Sequence, residues 1–228
     1  MQEVRTSRTH KIEKDMTSEV HNIDCLEYMR TLPDNYFQLA IADPPYRDEN
    51  APFQQMRKAS SEKVVFTTGR PTQEFFDELK RVSKEQVLFG ANNFGYEFKG
   101  FIAWDKMVRG SDRYSQVEIA SLSEGLATVS TLLQISTYQT EDKIHPTQKP
   151  VALYAWLLQH YAKDGDRIFD PMMGSQSSRI AAYKLGFDYV GCELDKEYFD
   201  KGCERFDREC HGIVIDSKGQ KIQQQTLF

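Results

Sequence analysis

Five short runs, at residues 38–42, 86–89, 101–104, 167–169 and 189–192, are apolar at nearly every position and tend to end at a small or charged residue. Runs of that length without strict alternation predict strands of a parallel sheet, buried on both faces. Between them the apolar spacing changes to the helical period. Phe75, Phe76, Leu79 and Val82 share one face behind Thr72, a suitable N-cap. Leu153, Leu157, Leu158 and Tyr161 mark a second helix after Pro150, and Ile180, Ala181, Ala182 and Leu185 a third that Gly186 stops. Strands alternating with helices predict an α/β fold built on a doubly wound, mostly parallel sheet. Two polar stretches, 47–63 and 106–143, read as loops, and loops of that length are usually functional. Residues 217–228 read as a flexible tail, which leaves 1–216 as one domain.

Composition narrows the class. The chain has 228 residues, 39% hydrophobic and 12% aromatic, enough to bury a sizeable core and too apolar for a disordered chain. Cys25, Cys192, Cys203 and Cys210 form no C-x-x-C pair and read as reduced thiols, with no zinc site or disulfide framework. The 29 basic and 34 acidic residues give a net charge of −5. That excludes a wholly basic nucleic-acid coat but leaves room for a local basic face. No apolar run reaches the roughly 18–20 residues needed to cross a bilayer. Residues 1–15 carry Arg5, Arg8, Lys11 and Lys14 without an apolar stretch, so no secretory signal is expected and the expected location is cytoplasmic.

Two places carry chemistry. Asp43-Pro44-Pro45-Tyr46 follows the first apolar run directly. Consecutive prolines fix φ and remove two backbone donors, which frees the Pro44 carbonyl to point outward. A carboxylate and a carbonyl at a strand's end can together accept both hydrogens of an amino group, and the Tyr46 ring can stack on a planar base. The second place is the run Phe169 to Ser178, which reads as a strand, a tight turn at Gly174 and the start of a helix whose amides face outward. Glu193 ends the next strand 19 residues after Gly174, the spacing of an acid that bonds ribose hydroxyls. G-x-G-x-x-G and a Walker lysine are both missing, so a dinucleotide or a triphosphate is disfavoured.

Together these residues resemble the amino-methylating DNA methyltransferases that use S-adenosylmethionine. Asp24 to Glu27, Thr31 to Asp34 and the Asp43 tetrapeptide are similar to that family's opening blocks; His145-Pro146-Thr147-Gln148-Lys149-Pro150 is similar to the block upstream of its glycine loop. The tetrapeptide precedes the glycine loop, the permuted order of the family's beta group. The resemblance implies a Rossmann-like methyltransferase fold and adenine-N6 methylation of double-stranded DNA, with S-adenosylmethionine and no metal as cofactor. It implies Asp43, Pro44, Pro45 and Tyr46 around the flipped target base. It also implies Asp24, Cys25, Lys149, Asp170, Pro171, Gly174, Ser175 and Glu193 around the cofactor, although Asp24 reads equally as a turn residue. The family usually has a second glycine where this chain has Gln176, a side chain that would narrow the cofactor loop.

Lys106, Arg109 and Arg113 fall where the family keeps its target-recognition element, and read either as phosphate contacts or as a solvated face. Gln224, Leu227 and Phe228 resemble the short peptides that dock into a bacterial replication sliding clamp. A restriction-modification setting fits the family, and a homodimer is among the partners it allows. Three other readings stand beside this one: cytosine-N4 methylation, whose family members more often begin the tetrapeptide with serine; a non-catalytic binding module with a degenerate cofactor loop; and an RNA substrate.

Overall fold

The computed structural model describes residues 16–46, 69–95, 99–108, 115–126, 129–137, 143–145, 147–216 and 219–223. In chain order the elements are β1 (Ser18–His21), α1 (Cys25–Arg30), β2 (Phe37–Ala42), α2 (Gln73–Val82), β3 (Ser83–Phe89), β4 (Gly100–Asp105), β5 (Val117–Leu122) and β6 (Ser130–Gln134). Then come α3 (Val151–Tyr161), β7 (Arg167–Asp170), α4 (Ser177–Leu185), β8 (Asp188–Cys192), α5 (Lys196–Phe206), β9 (Ile213–Ile215) and β10 (Lys221–Gln223). β1 to β8 form one sheet in the order β1-β8-β7-β2-β3-β5-β4-β6, with β5 antiparallel to both of its neighbours and every other pairing parallel. The fold is thus the Rossmann-like, mostly parallel α/β architecture that the alternation of runs predicts.

The buried strands serve two cores at once, because successive side chains point to opposite faces. Leu39 and Ile41 of β2, with Val87 and Phe89 of β3, meet Leu153, Leu157, Ala181 and Ala182 of α3 and α4. Ala40, Ala42 and Leu88 face the other way, onto Met29 of α1 and Phe75, Phe76 and Leu79 of α2. Phe169 and Phe37 stack face to face at 4.4 Å and tie β7 to β2. Among the described residues no helix is long and apolar enough to cross a membrane.

Three expectations are adjusted. The stretch 106–143 is not all loop, since it contains β5 and β6. β6 carries exposed polar positions and β5 an inward-lying acid, and β5 is stabilised by inserting between β3 and β4, a partnership that local spacing does not encode. The run 101–104 is a strand as expected, but it lies beside antiparallel β5. Within the expected tail, Lys221–Gln223 pairs with Ile213–Ile215. Gln224, Leu227, Phe228, Arg109 and Arg113 lie outside the described residues.

Candidate active site at the sheet's switch point

From the β7–β2 junction β2 leads to β3 on one side and β7 to β8 on the other, the kind of switch point at which open α/β sheets form a crevice at the carboxyl ends of their strands. Asp43, Asp170 and Glu193 each stand at such an end, one residue past β2, at the last residue of β7 and one past β8.

The glycine loop is braced from below. Asp170 is 2% exposed; its Oδ1 accepts the Met172 N–H at 3.0 Å, and the Ser178 hydroxyl donates to its other oxygen. Burial lifts its carboxyl pKa to about 7. Gly174 adopts a φ of +47°, a region that L side chains rarely enter. The half-buried Glu193 clasps this turn: Oε2 accepts the Gly174 N–H and Oε1 the Asp195 N–H, each at 2.9 Å. Burial raises its pKa, and the two backbone donors only partly oppose that. The 19-residue spacing therefore corresponds to a direct contact between the acid and the loop. His145, quoted above only as part of a block, packs edge-on against Tyr198 at 4.4 Å and flanks Gly174. Burial and then the Lys149 charge push its pKa down to about 4.

Gln176 takes the left-handed conformation (φ 61°) that a glycine would adopt freely, yet its side chain does not enter the crevice. It turns toward α5, against Gly202, with the amide donating to the Phe199 carbonyl at 3.3 Å and accepting from Arg179 at 2.8 Å. The narrowing expected of a side chain here is not what the fold shows. Ser175 is also turned inward: its carbonyl accepts from the fully buried Arg205 at 3.0 Å. Arg205 reaches Ser177 Oγ as well, at 2.8 Å, and Glu209 at 2.7 Å. Asp24 caps α1 by accepting the Leu26 and Glu27 N–H groups at 2.8 and 3.2 Å, which matches its reading as a turn residue. Burial and then Asp24 raise the Cys25 thiol to about 12, so it stays protonated.

Across the crevice lies the tetrapeptide. The Tyr46 hydroxyl donates to Asp43 Oδ1 at 2.7 Å, while its ring rests on Gly90, whose φ of +67° brings bare backbone against the ring. Burial, then the Asp43 charge, drives the tyrosine pKa far up, so its hydroxyl remains a donor. The Lys149 ammonium donates to Asp43 Oδ2 and sits 4.7 Å from the centre of the Phe89 ring. Lys149 thus stands beside the tetrapeptide's carboxylate, although the resemblance assigns it to the cofactor. It also lies 3.2 Å from Glu118 of β5, whose other oxygen accepts from Lys106. Lys106 is therefore paired at the site and not spread on an outer face. Burial opposes the charge on Lys149, but Asp43 and Glu118 outweigh it and raise its pKa. Burial likewise pushes the Glu118 carboxyl up, and Lys149 and Lys106 outweigh it and hold it low.

Sequence reading missed Glu118. The available signal was an acid in phase with Ala120 and Leu122, the buried alternate positions of β5.

Comparison with known proteins agrees with the architecture. Residues 102–204 match the family model described as DNA methylase, the N6/N4 methyltransferases. A stretch of 71 residues is 37% identical to the type II methyltransferase M.HpaI of Haemophilus parainfluenzae, covering 31% of this chain and 23% of that protein. The crystal structure of the M1.HpyAVI–SAM complex superposes with a TM-score of 0.53 at 21% identity, over 83% of this chain and 98% of that one. The PvuII DNA methyltransferase, cytosine-N4-specific, gives 0.55 at 14% identity, over 86% and 94%. Residues 102–204 are thus similar to the DNA methylases of the N6/N4 family, and the chain as a whole shares the fold of solved DNA methyltransferases.

Proposed function

We propose that the chain methylates the N6 amino group of adenine in double-stranded DNA, with S-adenosylmethionine as methyl donor. The observation that carries this reading is the Asp43 carboxylate, held at the end of β2 across the switch point from the loop that Glu193 clasps. The donor set fits the cofactor: a half-buried carboxylate aimed by two backbone N–H groups keeps lone pairs for vicinal ribose hydroxyls. The same fold in a protein solved with SAM supports that assignment. S-adenosylmethionine supplies a methyl group on a sulfonium, already electrophilic, so the chain's own task is positioning.

A base inside a duplex cannot present its amino group in line, and flipping it out costs a few kcal/mol. Stacking on Tyr46 offsets roughly 1–3 kcal/mol of that. Asp43 and the Pro44 carbonyl accept the amino hydrogens and orient the nitrogen lone pair. Asp43 need not be a strong base beforehand, because the proton leaves only after the nitrogen has become cationic.

The test is methyl-labelled S-adenosylmethionine with genomic DNA from a strain lacking DNA methylation, followed by nucleoside digestion and mass spectrometry. N6-methyladenine is the expected product. N4-methylcytosine would favour the second reading, which the likeness to the cytosine-N4-specific PvuII enzyme motivates. No label in DNA and no cofactor-induced thermal shift would defeat both. Asp43→Ala is expected to abolish product while leaving the cofactor-induced shift in place.

A further inference from the structure

Both oxygens of the Asp43 carboxylate already have donors, Tyr46 on one and Lys149 on the other. Each oxygen keeps a second lone pair, so an amino group that arrives to donate to Asp43 competes with these donors for the same oxygen and its charge. The Tyr46 hydroxyl is uncharged and belongs to the ring that would stack on the base. The Lys149 ammonium is the competing cation, and it has no route to water: its side chain is 6% exposed and lies against Phe89. Among the described residues one other acceptor faces it. Glu118 Oε2 is buried, 3.2 Å from Lys149 Nζ, and accepts no well-directed hydrogen bond, whereas Oε1 is engaged by Lys106. A buried carboxylate oxygen without a directed donor is costly. Here it points at the competing cation.

We propose that Glu118 is a positioning residue: it receives the Lys149 ammonium when the target amino group takes that ammonium's place on Asp43. Two carboxylates and two ammonium groups balance in charge, so the transfer leaves the buried cluster neutral throughout. Lys149 remains charged and paired, and Asp43 gains an acceptor site. Without Glu118 the ammonium stays on Asp43 and competes with the substrate there. This inference rests on the methyl-transfer reading above.

The decisive experiment compares Glu118→Gln with Glu118→Gln/Lys106→Met in the full chain. The single variant keeps the shape and removes the second carboxylate, and kcat is expected to fall on the order of 100-fold with KM for S-adenosylmethionine unchanged. The double variant restores charge balance but leaves Lys149 only a neutral amide oxygen, a weaker acceptor for an ammonium than a carboxylate, so it is expected to remain as slow. Recovery of the double variant to near wild-type kcat would mean that Glu118 only balances charge, and the proposal would fail. Wild-type kcat in Glu118→Gln would overturn it equally. Should the single variant not fold, the charge-balanced double variant decides by the same criterion. Absence of methyl transfer by the wild-type protein is a different outcome, since it removes the proposed function itself.

Discussion

Adding one methyl group at Gly90 probes how Tyr46 is seated. A Cβ built on Gly90 lies 2.1 Å from Tyr46 Cε1, 2.5 Å from Cζ and 2.6 Å from Cδ1. Carbon atoms in contact prefer about 3.5–4.0 Å, so the ring must retreat by more than about 1 Å. That retreat breaks the 2.7 Å hydrogen bond to Asp43. The left-handed conformation of residue 90 adds about 1 kcal/mol of strain for alanine, and the lost buried hydrogen bond about another. Gly90→Ala is therefore expected to destabilise the protein by about 2 kcal/mol, a fall in melting temperature of roughly 4–8 °C for a chain of this size. Methyl transfer should drop on the order of 100-fold, because the surface offered to the base is displaced. The assay is label transfer to DNA beside thermal denaturation, with Tyr46→Phe as the comparison. Phenylalanine keeps the ring in place and loses only the hydroxyl, so it should retain much more activity than Gly90→Ala. Unchanged melting and unchanged turnover in Gly90→Ala would refute the seating of Tyr46 on that glycine.

Glu193→Ala releases Gly174 and removes the carboxylate proposed to hold ribose; a rise of about tenfold in cofactor Kd, read by calorimetry, is expected with the choice of base unchanged. Asp170 has its pKa raised from 3.8 to about 7, so the folded state holds a proton that the unfolded chain has lost. Its contribution to stability is complete below about pH 4 and is lost as pH rises through 7, at up to about 1.4 kcal/mol per unit. Asp170→Asn should flatten that part of the stability–pH curve in denaturant titrations, and an unaltered slope would contradict the burial argument. Arg205→Met leaves the Ser175 carbonyl, Ser177 and Glu209 without their shared donor; a loss of roughly 3–5 kcal/mol in chemical denaturation and weaker cofactor binding are expected.

Much of this arrangement was legible in the sequence, and the parts that were share one property: they are local. The apolar runs that became β2, β3, β7 and β8 are buried on both faces, so their composition alone marks them. The amphipathic spacing of α2 and the stop at Gly186 are likewise written within one element. The Asp43 tetrapeptide and the turn at Gly174 could be found because each follows its strand directly. Tertiary structure decided what depends on distant partners. β5 and β6 are half-exposed, and a strand of that kind is specified by the neighbours it pairs with more than by its own residues. Because β5 inserts antiparallel beside β3, Glu118 comes within reach of Lys149 and draws Lys106 inward with it. Gln176 shows the same limit: the sequence places a side chain on the loop, and only the packing of α5 against α4 determines that it points away from the crevice. Local pattern fixes elements because backbone period and burial are short-range, whereas the direction of a polar side chain follows from which charges and donors the whole chain brings beside it.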